Sequence, residues 1–157
     1  MHTYTAQITW QRDGQTFSDN KYSRGHEWSF DGGITVAASS SPLVVRVPYS
    51  VADAVDPEEA LVASASSCHM LTFLHFAAQG GFIVDSYNDD AVGVMEKQED
   101  GKIAFSRITL RPRIVFTPDN EPTASELESL HHKSHEACFI ANSIKCPIVV
   151  EEPAVSA

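Results

Sequence analysis

Residues 56–81 read DPEEALVASASSCHMLTFLHFAAQGG, and this stretch decides the fold. Asp56 has the side chain of an N-cap, Pro57 suits the first helical position, and Glu59 stands where a capping-box partner belongs. The pattern predicts a helix from Pro57 to about Gln79, where Gly80-Gly81 ends it. From Ala60 to Gln79 no side chain carries a fixed charge. A helix apolar on nearly all faces must be covered on nearly all sides. One sheet cannot do this; a second helix and a partner chain can, which points to a homodimer. The serines, the threonine and two histidines in the stretch make it too polar for a lipid-facing span.

Downstream, Phe82–Lys97 and Lys102–Phe116 read as two long strands joined at Gln98-Glu99-Asp100-Gly101. Thr117–Pro122 is a loop. Thr123-Ala124-Ser125-Glu126 is a capping box that opens a second helix, predicted to run to about Phe139. Leu127, Leu130, Ser134 and Cys138 recur at helical spacing and can share one face. Cys146–Glu152 reads as a last strand.

Upstream, Tyr4, Ala6, Ile8 and Trp10 alternate with Thr5, Gln7 and Thr9, the period of a half-buried strand. Gln11–Gln15 is a turn, with Asp13-Gly14 as a hairpin signal. A β-rich region follows to Pro48, with a turn at Asp31-Gly32-Gly33 and a strand at Leu43–Val47. Strands, helix, strands, helix, strand is the order of an α+β protein. A length of 157 residues suits one domain.

Apolar residues make up 43% and charged residues 20%, the balance of a globular chain. The net charge of −10 argues against nucleic acid and against an anionic membrane surface, both of which need clustered Lys and Arg. The first residues show no basic segment followed by an apolar one, so no signal peptide is expected. Three cysteines are too few for a secreted disulfide framework, so a reducing cytoplasm is the expected setting.

Cys68 falls in mid-helix. A free cysteine there is either a small buried hydrophobe or a reactive thiol, and reactivity needs a nearby cation to favour the thiolate. Cys138 falls late in the second helix. If the helices pack, the two Cα atoms can come within disulfide range, ~4.4–6.8 Å. Cys146, followed by Pro147, is the rival partner. His131 and His135, four residues apart, could bind a metal with Glu136 and support a metal-assisted hydrolase. An exposed polar helix face is the favoured reading of that cluster. His69 points ~100° away from Cys68 on a helix, a poor base for that thiol and a better core or interface histidine. No phosphate-binding glycine loop and no nucleophile elbow occur.

Asp56-Pro57-Glu58-Glu59-Ala60-Leu61, then Ala63, then Cys68 ten residues after Glu58, resembles the first helix of the OsmC/Ohr family (osmotically inducible protein C and organic hydroperoxide resistance proteins). Cys138-Phe139-Ile140-Ala141-Asn142 resembles that family's second cysteine segment. Tyr22 to Pro42, with Ser23-Arg24 and Asp31-Gly32-Gly33, resembles its arginine-bearing N-terminal stretch. The resemblance covers nearly the whole chain.

It implies antiparallel sheets wrapped around two central helices in an intertwined homodimer, with sites at the interface. It implies a peroxidatic Cys68, a resolving Cys138, an activating Arg24 (Arg46 as the substitute) and Glu58 orienting the arginine. It implies an organic hydroperoxide substrate and a dithiol reductant, such as a protein-bound lipoyl group, with no cofactor or metal. A non-catalytic binding protein of the same fold is the alternative. The family usually has proline after the second cysteine; here Phe139 stands there, and Cys-Pro occurs at Cys146-Pro147. Ten residues of helix separate Glu58 from Cys68, a rise of ~15 Å, so a shared site would take Glu58 from the partner subunit.

Overall fold

Helix α1 (Pro57–Gln79) starts where its sequence places it. The Asp56 carboxylate accepts the Glu59 N–H at 2.8 Å, which satisfies one of the amides that a helix start leaves free. Its end is a Schellman turn: Phe82 N–H donates to Ala77 O (3.0 Å) and Gly81 N–H to Ala78 O (3.2 Å). Gly81 takes the left-handed backbone that this turn requires (φ 81°).

A computed structural model describes residues 1–151 in two compact units, Met1–Ala60 and the chain from Leu61 onward. The first unit holds an antiparallel sheet of β1 (Ala6–Thr9), β2 (His26–Phe30) and β3 (Thr35–Ala38). Ala6 lies opposite Phe30, and His26 opposite Ala38.

Three expectations change in this unit. The strand expected over Tyr4–Trp10 shortens to β1 and is exposed on both faces. Asp13 and Gly14 do form a left-handed turn (φ 50° and 76°), closed by Gln15 N–H to Arg12 O. No strand follows it directly, and β2 begins only at His26. Leu43–Val47 is not a strand: Val44 and Val45 N–H both donate to Ser41 O (3.0 and 2.9 Å), which curls the segment into turns. Its β-branched residues have no neighbouring strand to pair with.

The second unit contains β4 (Val84–Asp89), β5 (Val92–Lys97), β6 (Ile103–Leu110), β7 (Pro112–Phe116), helix α2 (Ala124–Ala137) and β8 (Ile148–Val150). β4 pairs with β7, and β5 with β6, both antiparallel; β8 lies parallel to β6, Ile108 opposite Ile148. The two long strands expected from sequence are therefore each broken, at Asp90-Ala91 and at Arg111. The Asp89 carboxylate accepts the Arg111 backbone N–H at 2.6 Å, and Pro112 has no N–H to give. The hairpin bends there and divides into two sheets. The last strand is shorter than expected, and Glu152 lies outside the described residues.

Two apolar clusters fill this unit. Ala65, Ile108, Leu110 and Ile148 form one, and Phe73, Ala77 and Leu130 the other. α1 buries Ala65, His69, Phe73 and Ala77, one stripe at four-residue spacing. Leu71 on another face is 61% exposed. By length and mean hydropathy (1.3) alone, α1 could also cross a bilayer, so hydropathy does not separate the two settings as the sequence reading expected.

Phe73 is fully buried between the two helices. Phe73→Ala is expected to cost ~3–5 kcal/mol, read by urea denaturation, because the lost contacts leave a cavity.

Candidate functional site

α2 begins with the reciprocal cap that its sequence announces: Glu126 N–H donates to Thr123 Oγ1 (3.3 Å) and Thr123 N–H to Glu126 Oε2 (2.8 Å). This fixes which face turns inward. Leu130, His131, Ser134 and Cys138 are buried, and Leu127 packs beside Leu130.

The helix stops earlier than expected. Cys138 is its C-cap, with extended backbone (φ −70°, ψ 114°). The chain then makes a tight turn in which Asn142 N–H donates to Cys138 O (3.1 Å) and Ala141 N–H to Cys138 Sγ (3.4 Å). Cys138 thus ends one helix and caps the next turn. Phe139 occupies the first position of that turn, where a proline would be pre-set, and is 77% exposed.

Cys68, half-buried on α1, is an electrostatic neighbour of the buried Cys138 thiol. Burial, then the neighbouring Cys68 thiol, push the Cys138 thiol up to about 11, against the amides of Ala141 and Ile140. Cys138 therefore keeps its proton at neutral pH. All three cysteines are free; Cys146 packs instead against the Ala65–Ile108–Leu110–Ile148 cluster.

Two further contacts lock the helices beside the cysteines. Thr72 Oγ1 lies 2.8 Å from Cys68 O, 2.9 Å from His69 O and 3.3 Å from Ser134 O. His69 Nε2 lies 3.1 Å from His131 Nδ1, with the rings nearly parallel (7°). Phe73 packs on the His131 ring, centroids 4.7 Å apart. Burial, with His131 and His135 nearby, pushes His69 down to about 4. Burial does the same to His131, to about 4, against the opposing charge of Asp89. The pair is neutral at pH 7.

This corrects the reading of the histidine cluster. His131 is not on an exposed polar face; it is 8% exposed and belongs to the core. Glu136 lies outside, 3.7 Å from His132. His131, His135 and Glu136 do not converge, and among the described residues no three His, Cys, Asp or Glu side chains could hold a metal. His69 is the core histidine expected. The His69–His131 pair was missed, although the signal existed: position 131 falls on the Leu127–Leu130–Ser134 stripe.

The structure brings Cys68 and Cys138 together. Arg24, Arg46 and Glu58 belong to the first unit. Arg24 donates from Nη1 to Asn20 O and Tyr22 O and from Nη2 to Asn20 Oδ1. Arg46 lies 5.7 Å from the Tyr49 ring centroid. Glu58 stands half-buried in the first turn of α1.

The family model for OsmC-like proteins matches residues 50–152. Among solved structures, an OsmC-like protein of unknown function from Vibrio cholerae is 50% identical, covers 98% of this chain and 100% of its own, and superposes with a TM-score of 0.95. An organic hydroperoxide resistance protein from Elizabethkingia anophelis is 18% identical over 97% of this chain and 94% of its own, with a TM-score of 0.70. The organic hydroperoxide resistance protein OhrB of Bacillus subtilis is 13% identical over 96% of both chains, with a TM-score of 0.61. At such identities these two share the fold. No curated protein matches the chain. With α1, the capped α2 and the sheets in the arrangement of these structures, the chain belongs to the OsmC-like family.

Proposed function

We propose that the protein is a thiol peroxidase that reduces organic hydroperoxides with Cys68 and Cys138. The observation that carries this reading is the proximity of the half-buried Cys68 sulfur to a protonated, buried Cys138 thiol. The Cys68 thiolate, favoured by the charge of Arg24, attacks the distal peroxide oxygen. The O–O bond breaks, an alkoxide leaves and takes up a proton to become the alcohol, and Cys68 becomes a sulfenic acid. Cys138 displaces the sulfenic oxygen as water, using its own proton, and a Cys68–Cys138 disulfide forms. An external dithiol, such as a lipoyl group, restores both thiols by exchange.

Of the apolar residues near Cys68 in sequence, Phe73 serves the core and not a pocket wall. Leu71 and Phe139 are the exposed apolar side chains nearest the two cysteines in sequence, suited to an alkyl chain. Homodimerisation belongs to the same reading: α1 is apolar almost all round, yet this chain buries one stripe of it. A partner subunit would cover the rest and supply Glu58. A monomer with full activity would overturn the dimeric site. The cytoplasm fits a chain with three cysteines, too few for a secreted disulfide framework.

The test is consumption of cumene hydroperoxide by the reduced protein with excess dihydrolipoamide. Sustained turnover is expected; no consumption with all thiols intact would leave a binding protein of the same fold. Without the dithiol, Cys138→Ser is expected to consume a first equivalent at a near-normal rate, leaving a Cys68 sulfenic acid, and a second one more slowly as that is over-oxidised to the sulfinic acid, and then to stop. Stopped-flow kinetics and intact-protein mass spectrometry read both parts.

A further inference from the structure

Thr72 stands on α1 one turn after Cys68, and Ser134 on α2 one turn before Cys138. All four residues belong to the same compact unit. The Thr72 hydroxyl oxygen lies 2.8 Å from Cys68 O and 2.9 Å from His69 O, both on its own helix. A threonine in mid-helix commonly turns its hydroxyl back on these carbonyls. The third oxygen in reach is on the other helix: Ser134 O, at 3.3 Å.

The three oxygens are not equivalent, and the hydroxyl has one hydrogen to give. Cys68 O and His69 O lie in the interior of α1, where the helical ladder supplies each with a backbone N–H. Ser134 O lies at the end of α2. A continuing helix would bring it the Cys138 N–H, but that N–H goes to His135 O at 3.3 Å. The Ser134 carbonyl thus joins those that a helix end leaves free. Ser134 has no exposed surface, so water does not serve it, and its own hydroxyl donates to Leu130 O at 2.6 Å. A buried acceptor without a donor is costly. The Thr72 hydroxyl is the donor that α1 offers to this end of α2.

The place of this helix end decides where Cys138 sits. Cys138 has an extended backbone (φ −70°, ψ 114°), outside the helical ladder. A disulfide closes only over a narrow range of Cα and Cβ separations, and small misplacements of reacting groups slow a step steeply.

We propose that Thr72 is the positioning residue for disulfide closure: it ties the carbonyl one turn before Cys138 to the turn that carries Cys68, and so holds the resolving sulfur within reach of the peroxidatic one. This rests on the reading of the two cysteines as a peroxidatic and resolving pair.

The test is the reaction of the reduced full-length Cys146→Ser protein with dithiodipyridine, followed by the absorbance of the thiopyridone released. The Cys68 thiolate attacks the reagent and expels one thiopyridone, leaving a mixed disulfide. The Cys138 sulfur then attacks Cys68, forms the Cys68–Cys138 disulfide and expels the second thiopyridone. The first phase scales with reagent concentration and the second does not, which separates them. Thr72→Val keeps the branched shape and removes the hydroxyl. It is expected to slow the second phase about tenfold and to leave the first within about twofold. Thr72→Ala, a second variant without the hydroxyl, should repeat the slow closure, and Thr72→Ser, which restores it, should return closure close to the original rate. Equal closure rates with and without the hydroxyl would overturn the role of Thr72 and leave the cysteine pair standing. Slowing of both phases that serine does not restore would overturn it too, because that marks a general loosening of the packing. If the protein with Thr72 intact takes up two reagent groups and never closes, the reading of the pair falls, and this proposal falls with it.

Discussion

Replacing Cys68 by serine is expected to abolish hydroperoxide reduction, with a loss on the order of a thousandfold or more. The serine hydroxyl holds its proton at neutral pH and is a poor nucleophile toward a peroxide oxygen. It also cannot form the sulfenic acid on which the next step depends. The substitution should be benign for the fold: Cys68 is half-buried, and the packed stripe of α1 is Ala65, His69, Phe73 and Ala77. Circular dichroism and a denaturation curve check that. Cys146→Ser provides the contrast. Its sulfur packs against the cluster around Ile108 and Ile148, so it should lose a little stability and keep its turnover. Full turnover in Cys68→Ser would end the peroxidase reading.

Acidification is expected to destabilise the protein steeply between about pH 6.5 and pH 4. His69 and His131 are held down to about 4 by burial in the native state, against about 6.5 when unfolded. Between those values the unfolded chain binds more protons than the native one, so stability rises with pH. The full contribution is present above about 6.5 and is lost as pH falls through 4. A shift of this size corresponds to on the order of 3 kcal/mol for a histidine protonated, a large share of the ~5–15 kcal/mol that holds an ordinary domain together. Urea denaturation at pH 7, 5.5 and 4.5 reads the effect. The double variant His69→Leu with His131→Leu removes both proton acceptors and should flatten the curve over this window. Equal stability of the wild type at pH 7 and pH 4.5 would contradict the account.

Much of this architecture is written locally in the chain. Asp56-Pro57 and Gly80-Gly81 bound α1 to the residue, and Thr123 with Glu126 fixes the start of α2, because caps and terminal glycines act within a few residues. The inward face of α2 was legible from Leu127, Leu130, Ser134 and Cys138. The failures have non-local causes. The break in the long hairpin depends on the Asp89 side chain taking the Arg111 amide, 22 residues away, and no strand periodicity reports that. Leu43–Val47 has strand composition but no strand beside it. The helix ends at Cys138 because the following turn competes for its backbone and sulfur. Of the site, the cysteine pair was legible in outline. The His69–His131 contact needed the two helices docked in register.

The most direct test of the central claim is to treat the reduced protein with one equivalent of cumene hydroperoxide and map the products by peptide mass spectrometry. A loss of two hydrogens, located in a disulfide between Cys68 and Cys138, is the predicted result. A Cys68–Cys146 bond would transfer the resolving role to the third cysteine, and unreacted thiols beside intact peroxide would contradict the peroxidase reading altogether.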